Sequence, residues 1–179
     1  HYGLYCVDEA DIETHGIWDL GCEGGEISHK LKWAPRYMDR VRRMYFRDRT
    51  HCSIIMWSLG NESGGWKNHD VCCDMLKTVT DIPVHYEGAI RTPRGSYDVI
   101  SEMYQFPQLL EKIGEHKLTK RYKNKPHFLC EYCHAMGVGP GAREEYMQIF
   151  FSDDIFMGGC SWEWADHSVL HDGTDKDKY

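Results

Sequence analysis

Apolar residues along the chain alternate between short unbroken runs and stripes spaced three and four apart. The clearest run, Ile54-Ile55-Met56-Trp57-Ser58-Leu59, stops abruptly at Gly60-Asn61-Glu62. A β-rich run closed by glycine and polar groups reads as a strand buried on both faces, as in parallel sheets. A second run of the same construction, Pro126-His127-Phe128-Leu129-Cys130-Glu131, also ends on a glutamate. Further strands are predicted over 3–9, 83–87, 98–104 and 156–164. Between the runs, Trp33, Tyr37, Val41, Met44 and Tyr45 predict a helix over 33–49. Val71, Cys72, Met75, Leu76 and Val79 predict another over 68–79, and weaker stripes predict helices over 107–123 and 142–151. The glycine-rich stretch 18–32 reads as loop, and the charged tail from His171 is expected to fray.

Six strands alternating with helices, without a hairpin signal, call for a parallel sheet covered by helices. A doubly wound sheet and a (β/α)8 TIM barrel both fit that pattern. The barrel is favoured because Glu13, Glu62, Glu87, Tyr104, Glu131 and Trp162 stand at or just beyond the strand ends, as around a rim. Residues 1–179 are thus read as one α/β catalytic TIM-barrel domain, two strands short of a closed ring.

Composition narrows the function. A net charge of −7 argues against a nucleic-acid surface, which needs clustered Lys and Arg. The one basic cluster, over 36–49, is interleaved with apolar residues at helical spacing and reads as the wet face of a helix. No apolar run approaches the ~20 residues of a membrane span. The first residues lack the basic and apolar regions of a signal peptide and look like the middle of a domain. Eight cysteines sit inside strand-like runs or side by side on a helix, which fits buried, reduced thiols and a cytoplasmic protein. Cys130 and Cys133 form a CxxC, but it lacks the second ligand pair or thioredoxin-like context that zinc or redox chemistry needs.

Glutamates at the ends of two different barrel strands suit glycoside cleavage. One carboxylic acid protonates the departing oxygen, and the other carboxylate attacks the anomeric carbon or activates water. Glu62 and Glu131 are the candidates, with His134 close behind Glu131. Glu13 and His15 stand two apart, so in an extended segment both point the same way and can ligate a divalent cation. Tyr104 ends its strand on a phenol that can bond a substrate or Glu131. Trp162 and Trp164, at period-two spacing, offer indole faces for a sugar or for the core.

Four stretches carry a family resemblance: Asp8-Glu9-Ala10-Asp11-Ile12-Glu13-Thr14-His15-Gly16, Trp57-Ser58-Leu59-Gly60-Asn61-Glu62-Ser63-Gly64, Cys130-Glu131-Tyr132-Cys133-His134-Ala135-Met136-Gly137 and Gly158-Gly159-Cys160-Ser161-Trp162-Glu163-Trp164. They resemble the motifs of glycoside hydrolase family 2, most closely its lac-type bacterial β-galactosidases. The resemblance implies a retaining β-galactosidase acting on lactose-like substrates, with Glu62 as general acid/base and Glu131 as nucleophile. It implies Mg²⁺ on Glu13, His15 and Glu62, and sugar contacts from Asn61, Tyr104, His134 and Trp162. Na⁺ is a further family cofactor, with no ligands identifiable in this chain. It also implies that the chain covers roughly the last six strands of the barrel, without the first strands and flanking β-domains, and that the full-length enzyme is a homo-oligomer. Val138 stands where the family pattern usually has Asn. The alternative reading is a non-catalytic or carbohydrate-binding piece of such an enzyme, because an open barrel exposes strand edges.

Overall fold

The computed structural model describes residues 2–21, 26–89, 96–115, 125–135 and 139–164. Val138, the end of the helix expected over 107–123, and the charged tail lie outside the described residues.

All six predicted strands are present: β1 (Cys6–Glu9), β2 (Ile54–Ser58), β3 (Val84–His85), β4 (Ile100–Met103), β5 (His127–Tyr132) and β6 (Phe156–Ser161). The helices are α1 (Glu26–His29), α2 (Ala34–Asp48), α3 (Lys67–Lys77), α4 (Pro107–Gly114) and α5 (Arg143–Phe150). The strands pair in parallel and in chain order as β1-β2-β3 and β4-β5-β6. Asp98 bridges the two halves: its N–H donates to Val84 O at 3.0 Å, and its Oδ2 accepts from Val84 N at 2.9 Å. A side chain thus takes over a ladder bond where β3 is too short to continue.

The two faces of the wall carry different cores. Val7, Met56, Val99, Phe128 and Cys130 gather on the inner face. On the outer face Trp57 and Leu59 pack with Tyr37, Val41 and Met44 of α2 and with Cys72, Cys73 and Leu76 of α3. Leu129, Tyr132 and Phe156 meet Leu110 and Ile113 of α4 and Tyr146, Ile149 and Phe150 of α5. Burial on both faces explains why β2 and β5 read as unbroken apolar runs. This is the wall of a TIM barrel with helices outside, and β1 and β6 are its outermost strands.

The exposed arginines of α2 bear out the wet-face reading, with Arg43 paired to Asp39 at 2.8 Å and Arg47 to Asp48 at 2.5 Å. Three expectations are corrected. The stretch read as loop holds a 3-10 turn (His15–Leu20), α1 and a second turn (Leu31–Trp33), pieces too short to leave a periodic stripe. Strand β6 ends at Ser161, so Trp162 and Trp164 lie beyond it and do not share a strand face; Trp164 is fully exposed. Cys6, Cys52 and Cys160 are exposed, whereas Cys72, Cys73 and Cys133 are buried. No helix among the described residues is long and apolar enough to cross a membrane.

Candidate active site

The first half of the site is built where β2 ends. Leu59 N donates to His85 O at 3.0 Å, and the chain then bends through Gly60 at φ +113°. A Cβ on Gly60 would stand 2.4 Å from Ile12 O, so only glycine lets this strand lie against the extension of β1. Asn61 N donates to Ile12 O at 2.8 Å, and Asn61 Nδ2 to Glu13 Oε2 at 3.1 Å. The next residue, Glu62, is held at φ +32°, outside the usual range for a residue with a Cβ. His15 Nδ1 lies 2.5 Å from Glu62 Oε2. One ligand atom from each of Glu13, His15 and Glu62 lies within 4.8 Å of the others. Glu13 and His15 come together, but not through the extended segment expected: Glu13 bridges to Asn61, and His15 opens a 3-10 turn.

The second half is built on β4 and β5. Tyr104 N donates to Glu131 O at 2.9 Å, and the Tyr104 hydroxyl donates to Glu131 Oε2. Tyr104 sits at φ +52°, which turns its phenol back over the end of β5. Its ring lies 5.5 Å from the exposed imidazole of His134. Trp162 N donates to Tyr132 O at 2.8 Å, and Ala135 N to Trp162 O at 2.7 Å. The indole-bearing residue is therefore stitched to the loop that carries His134, and it is half-buried.

Burial pushes the Glu131 carboxyl above its ordinary range, and the charges of Glu62 and Glu9 push the same way. The Tyr104 hydroxyl and His134 oppose them by favouring the ionised form. Burial and the neighbouring carboxylate of Glu131 also push the Tyr104 phenol up, and Glu62 adds to the effect. Glu62 and Glu131, from strands separated by β3 and β4, thus face one rim closely enough for one charge to act on the other. The buried pair of Glu102 and His127, 3.0 Å apart, lies in the β4–β5 wall and is not part of this rim.

The CxxC does not assemble as a pair. Cys130 Sγ donates to Glu102 O and Cys133 Sγ to Gly141 O, each at 3.5 Å, and both thiols are pushed up by burial. Sequence reading missed Glu9, whose Oε2 accepts from Ser58 Oγ at 2.6 Å, although it stands inside a quoted motif at a strand end. It also missed Ser28, Ser63 and Tyr86, which surround the backbone of Glu62. Tyr86 stands one residue before the end of the strand predicted over 83–87, where Glu87 took the strand-end position; Ser28 carried no signal.

Residues 1–178 match the family model described as glycosyl hydrolases family 2, TIM barrel domain. The chain belongs to glycosyl hydrolase family 2. This family 2 chain is 38% identical over 187 residues to a protein of Lactococcus lactis subsp. lactis named beta-galactosidase, covering 97% of the chain and 18% of that relative. It is 35% identical to one of the same name from Kluyveromyces lactis, covering 93% of the chain and 18% of the relative. The family 2 chain thus spans under a fifth of these relatives. Among solved structures it resembles Ruminococcus gnavus beta-glucuronidase, with a TM-score of 0.55 at 16% identity over 77% of the chain and 30% of that structure. At that identity the likeness concerns the fold.

Proposed function

We propose that this family 2 chain carries the reaction centre of a retaining β-galactosidase acting on terminal β-D-galactosyl groups. The observation that carries the reading is the Tyr104 hydroxyl bonded to Glu131 at the end of β5, on the rim where the charge of Glu62 reaches the Glu131 carboxyl. In the first step a Glu131 carboxylate oxygen attacks the anomeric carbon. The bond to the departing oxygen breaks, and the Glu62 carboxylic acid gives that oxygen its proton. In the second step the Glu62 carboxylate takes a proton from water, the water oxygen attacks the anomeric carbon, and Glu131 is released. This chemistry predicts carboxyl groups ~5–5.5 Å apart in the loaded site.

Burial pushes the Glu131 carboxyl up, and Tyr104 and His134 oppose that push by favouring the ionised form that attack requires. Asn61, held by Glu13, and Trp162, stitched to the His134 loop, offer an amide and an indole face to the sugar. The carboxylates of Glu13 and Glu62 and the His15 imidazole form a compact donor set that fits Mg²⁺ completed by water. Bound there, the ion would supply fixed positive charge beside Glu62. A cytoplasmic setting, supported by the free thiols among the described cysteines, and homo-oligomeric assembly of the full-length enzyme belong to the same proposal.

The test is peptide mass spectrometry after incubation with Mg²⁺ and an activated 2-deoxy-2-fluoro-β-galactoside, which a retaining enzyme traps as a glycosyl ester. A label on Glu131 is expected, and a label on another carboxylate overturns the assignment. The outermost position of β1 and β6 favours a second reading, in which the chain alone binds sugar without turnover. That reading predicts no label on the chain alone, a label once a longer polypeptide completes the barrel, and a cooperative melt in both.

A further inference from the structure

Glu62 is flanked by a residue whose every polar group is engaged. Ser63 N donates to Tyr86 Oη at 2.9 Å, Ser63 Oγ donates to Asn61 O at 2.7 Å across Glu62, and Ser63 O accepts from Ser28 Oγ. Ser28 Oγ lies 2.8 Å from Tyr37 Oη, which ties the peptide to α2. Ser28, Ser63 and Tyr86 are wholly buried, so water cannot replace these bonds.

Tyr86 is the fixed point of this network. It follows β3, the strand beside β2, and Ala89 N donates to its carbonyl at 2.9 Å. Its ring stacks on His69 with centroids 4.0 Å apart. Two glycines make room for it: a Cβ on Gly65 would lie 2.7 Å from Tyr86 Cε1, and one on Gly88 2.6 Å. A ring held on three sides keeps its hydroxyl in place, and the hydroxyl holds the peptide that leaves Glu62. Glu62 needs such support, because its positive φ is disfavoured unless the surroundings impose it.

We propose that Tyr86 is a positioning residue for Glu62: its buried hydroxyl accepts the Ser63 N–H and so fixes the backbone that aims the Glu62 carboxyl group. The role rests on the proposed acid/base function of Glu62. Without the hydroxyl, the peptide after Glu62 loses one restraint and the carboxyl group drifts from the departing oxygen. Proton delivery suffers, and attack by Glu131 does not.

The test compares Tyr86→Phe with Tyr45→Phe, which removes another internal tyrosine bond, Tyr45 Oη to Val79 O at 2.7 Å. Each variant is assayed in a polypeptide that completes the barrel, with an alkyl β-galactoside and a dinitrophenyl β-galactoside. For Tyr86→Phe, kcat/KM is expected to fall about tenfold or more on the alkyl substrate and less than about threefold on the aryl one, which needs little protonation. Tyr45→Phe is expected to affect both substrates alike. Equal losses on the two substrates in Tyr86→Phe, or none, overturn the proposal. If the unaltered protein cleaves neither substrate, the functional reading has failed, and hydrogen exchange at the Ser63 amide then decides the positioning claim by itself. Exchange about tenfold faster in Tyr86→Phe, with the Trp57 and Leu59 amides unchanged, supports it, and unchanged Ser63 exchange overturns it.

Discussion

Tyr104 is tied to Glu131 twice, by its backbone N–H to the Glu131 carbonyl at 2.9 Å and by its hydroxyl to Glu131 Oε2. The first bond fixes the register of β4 against β5, and the second sets the electrostatics of the carboxylate. In Tyr104→Phe only the second is lost. The hydroxyl favours the ionised carboxylate, so its removal raises the Glu131 pKa further above the ordinary range. Activity that needs ionised Glu131 rises as pH rises through that pKa. The acid limb of the kcat/KM profile should therefore move to higher pH, and an unmoved limb would detach Tyr104 from the charge of Glu131.

Removing the two carboxyl groups should give different patterns. Glu131→Gln should reduce turnover to background while leaving the melting temperature within a few degrees of the original. Glu62→Ala should lower kcat/KM by about 10²–10⁴ on alkyl galactosides and by much less on activated aryl ones. Steady-state kinetics on both substrates separates the roles, and equal losses in Glu62→Ala would remove Glu62 as the acid.

Gly60→Ala should damage the site without touching either glutamate. The new Cβ would be driven to 2.4 Å from Ile12 O at a φ of +113°. We expect a loss of about 3 kcal/mol or more in a denaturant melt, together with weakened pairing of Asn61 with Glu13. A variant as stable as the original would show that the β1 extension shifts freely.

Divalent-cation binding can be read without turnover, using Mn²⁺ as a paramagnetic probe titrated by electron paramagnetic resonance. A single site at Glu13, His15 and Glu62 should lose about tenfold or more in affinity in Glu13→Gln and in His15→Ala. Chelation should lower activity reversibly. Equal affinities in the original and both variants would place the ion elsewhere.

Acid should destabilise the fold through its buried imidazoles. Burial lowers His69 to about 3 and His85 to about 4, below the ordinary 6.5. The unfolded chain then binds more protons than the folded one between the folded and unfolded values, so stability is full above about pH 6.5 and lost as pH falls below it. The loss is roughly 2 kcal/mol per histidine by pH 5. Both ring nitrogens of His85 are buried without a hydrogen-bond partner among the described residues, and its ring packs on Phe128. His85→Phe should flatten the fall in melting temperature between pH 7 and pH 5, and an unchanged slope would refute this account.

The alternation of apolar runs with helical stripes was legible because a parallel strand buried on both faces and a helix buried on one leave different periods in the chain. For the same reason the carboxylates of Glu62 and Glu131, each ending such a run, stood out. Helical pieces of six residues or fewer left no period, so α1 and the turns beside it were invisible. The two tryptophans after β6 misled for a related reason, since a period-two pair carries no mark of where the strand stops.

Which residues stand at strand ends and which stripes face inward are local consequences of backbone period and apolar pattern, and so are written in the sequence. It could not fix the distances across the rim, which depend on how β2, β3, β4 and β5 lie side by side. Only the tertiary structure brought His15 to 2.5 Å from Glu62 and closed Tyr104 onto Glu131. Only there does a glycine at position 60 become a requirement, since the carbonyl that forbids a side chain belongs to Ile12, on another strand's extension. The network of Ser28, Ser63 and Tyr86 has the same origin: Ser28 and Ser63 lie 35 residues apart, Tyr86 lies further along the chain, and they meet because α1 folds beneath the end of β2.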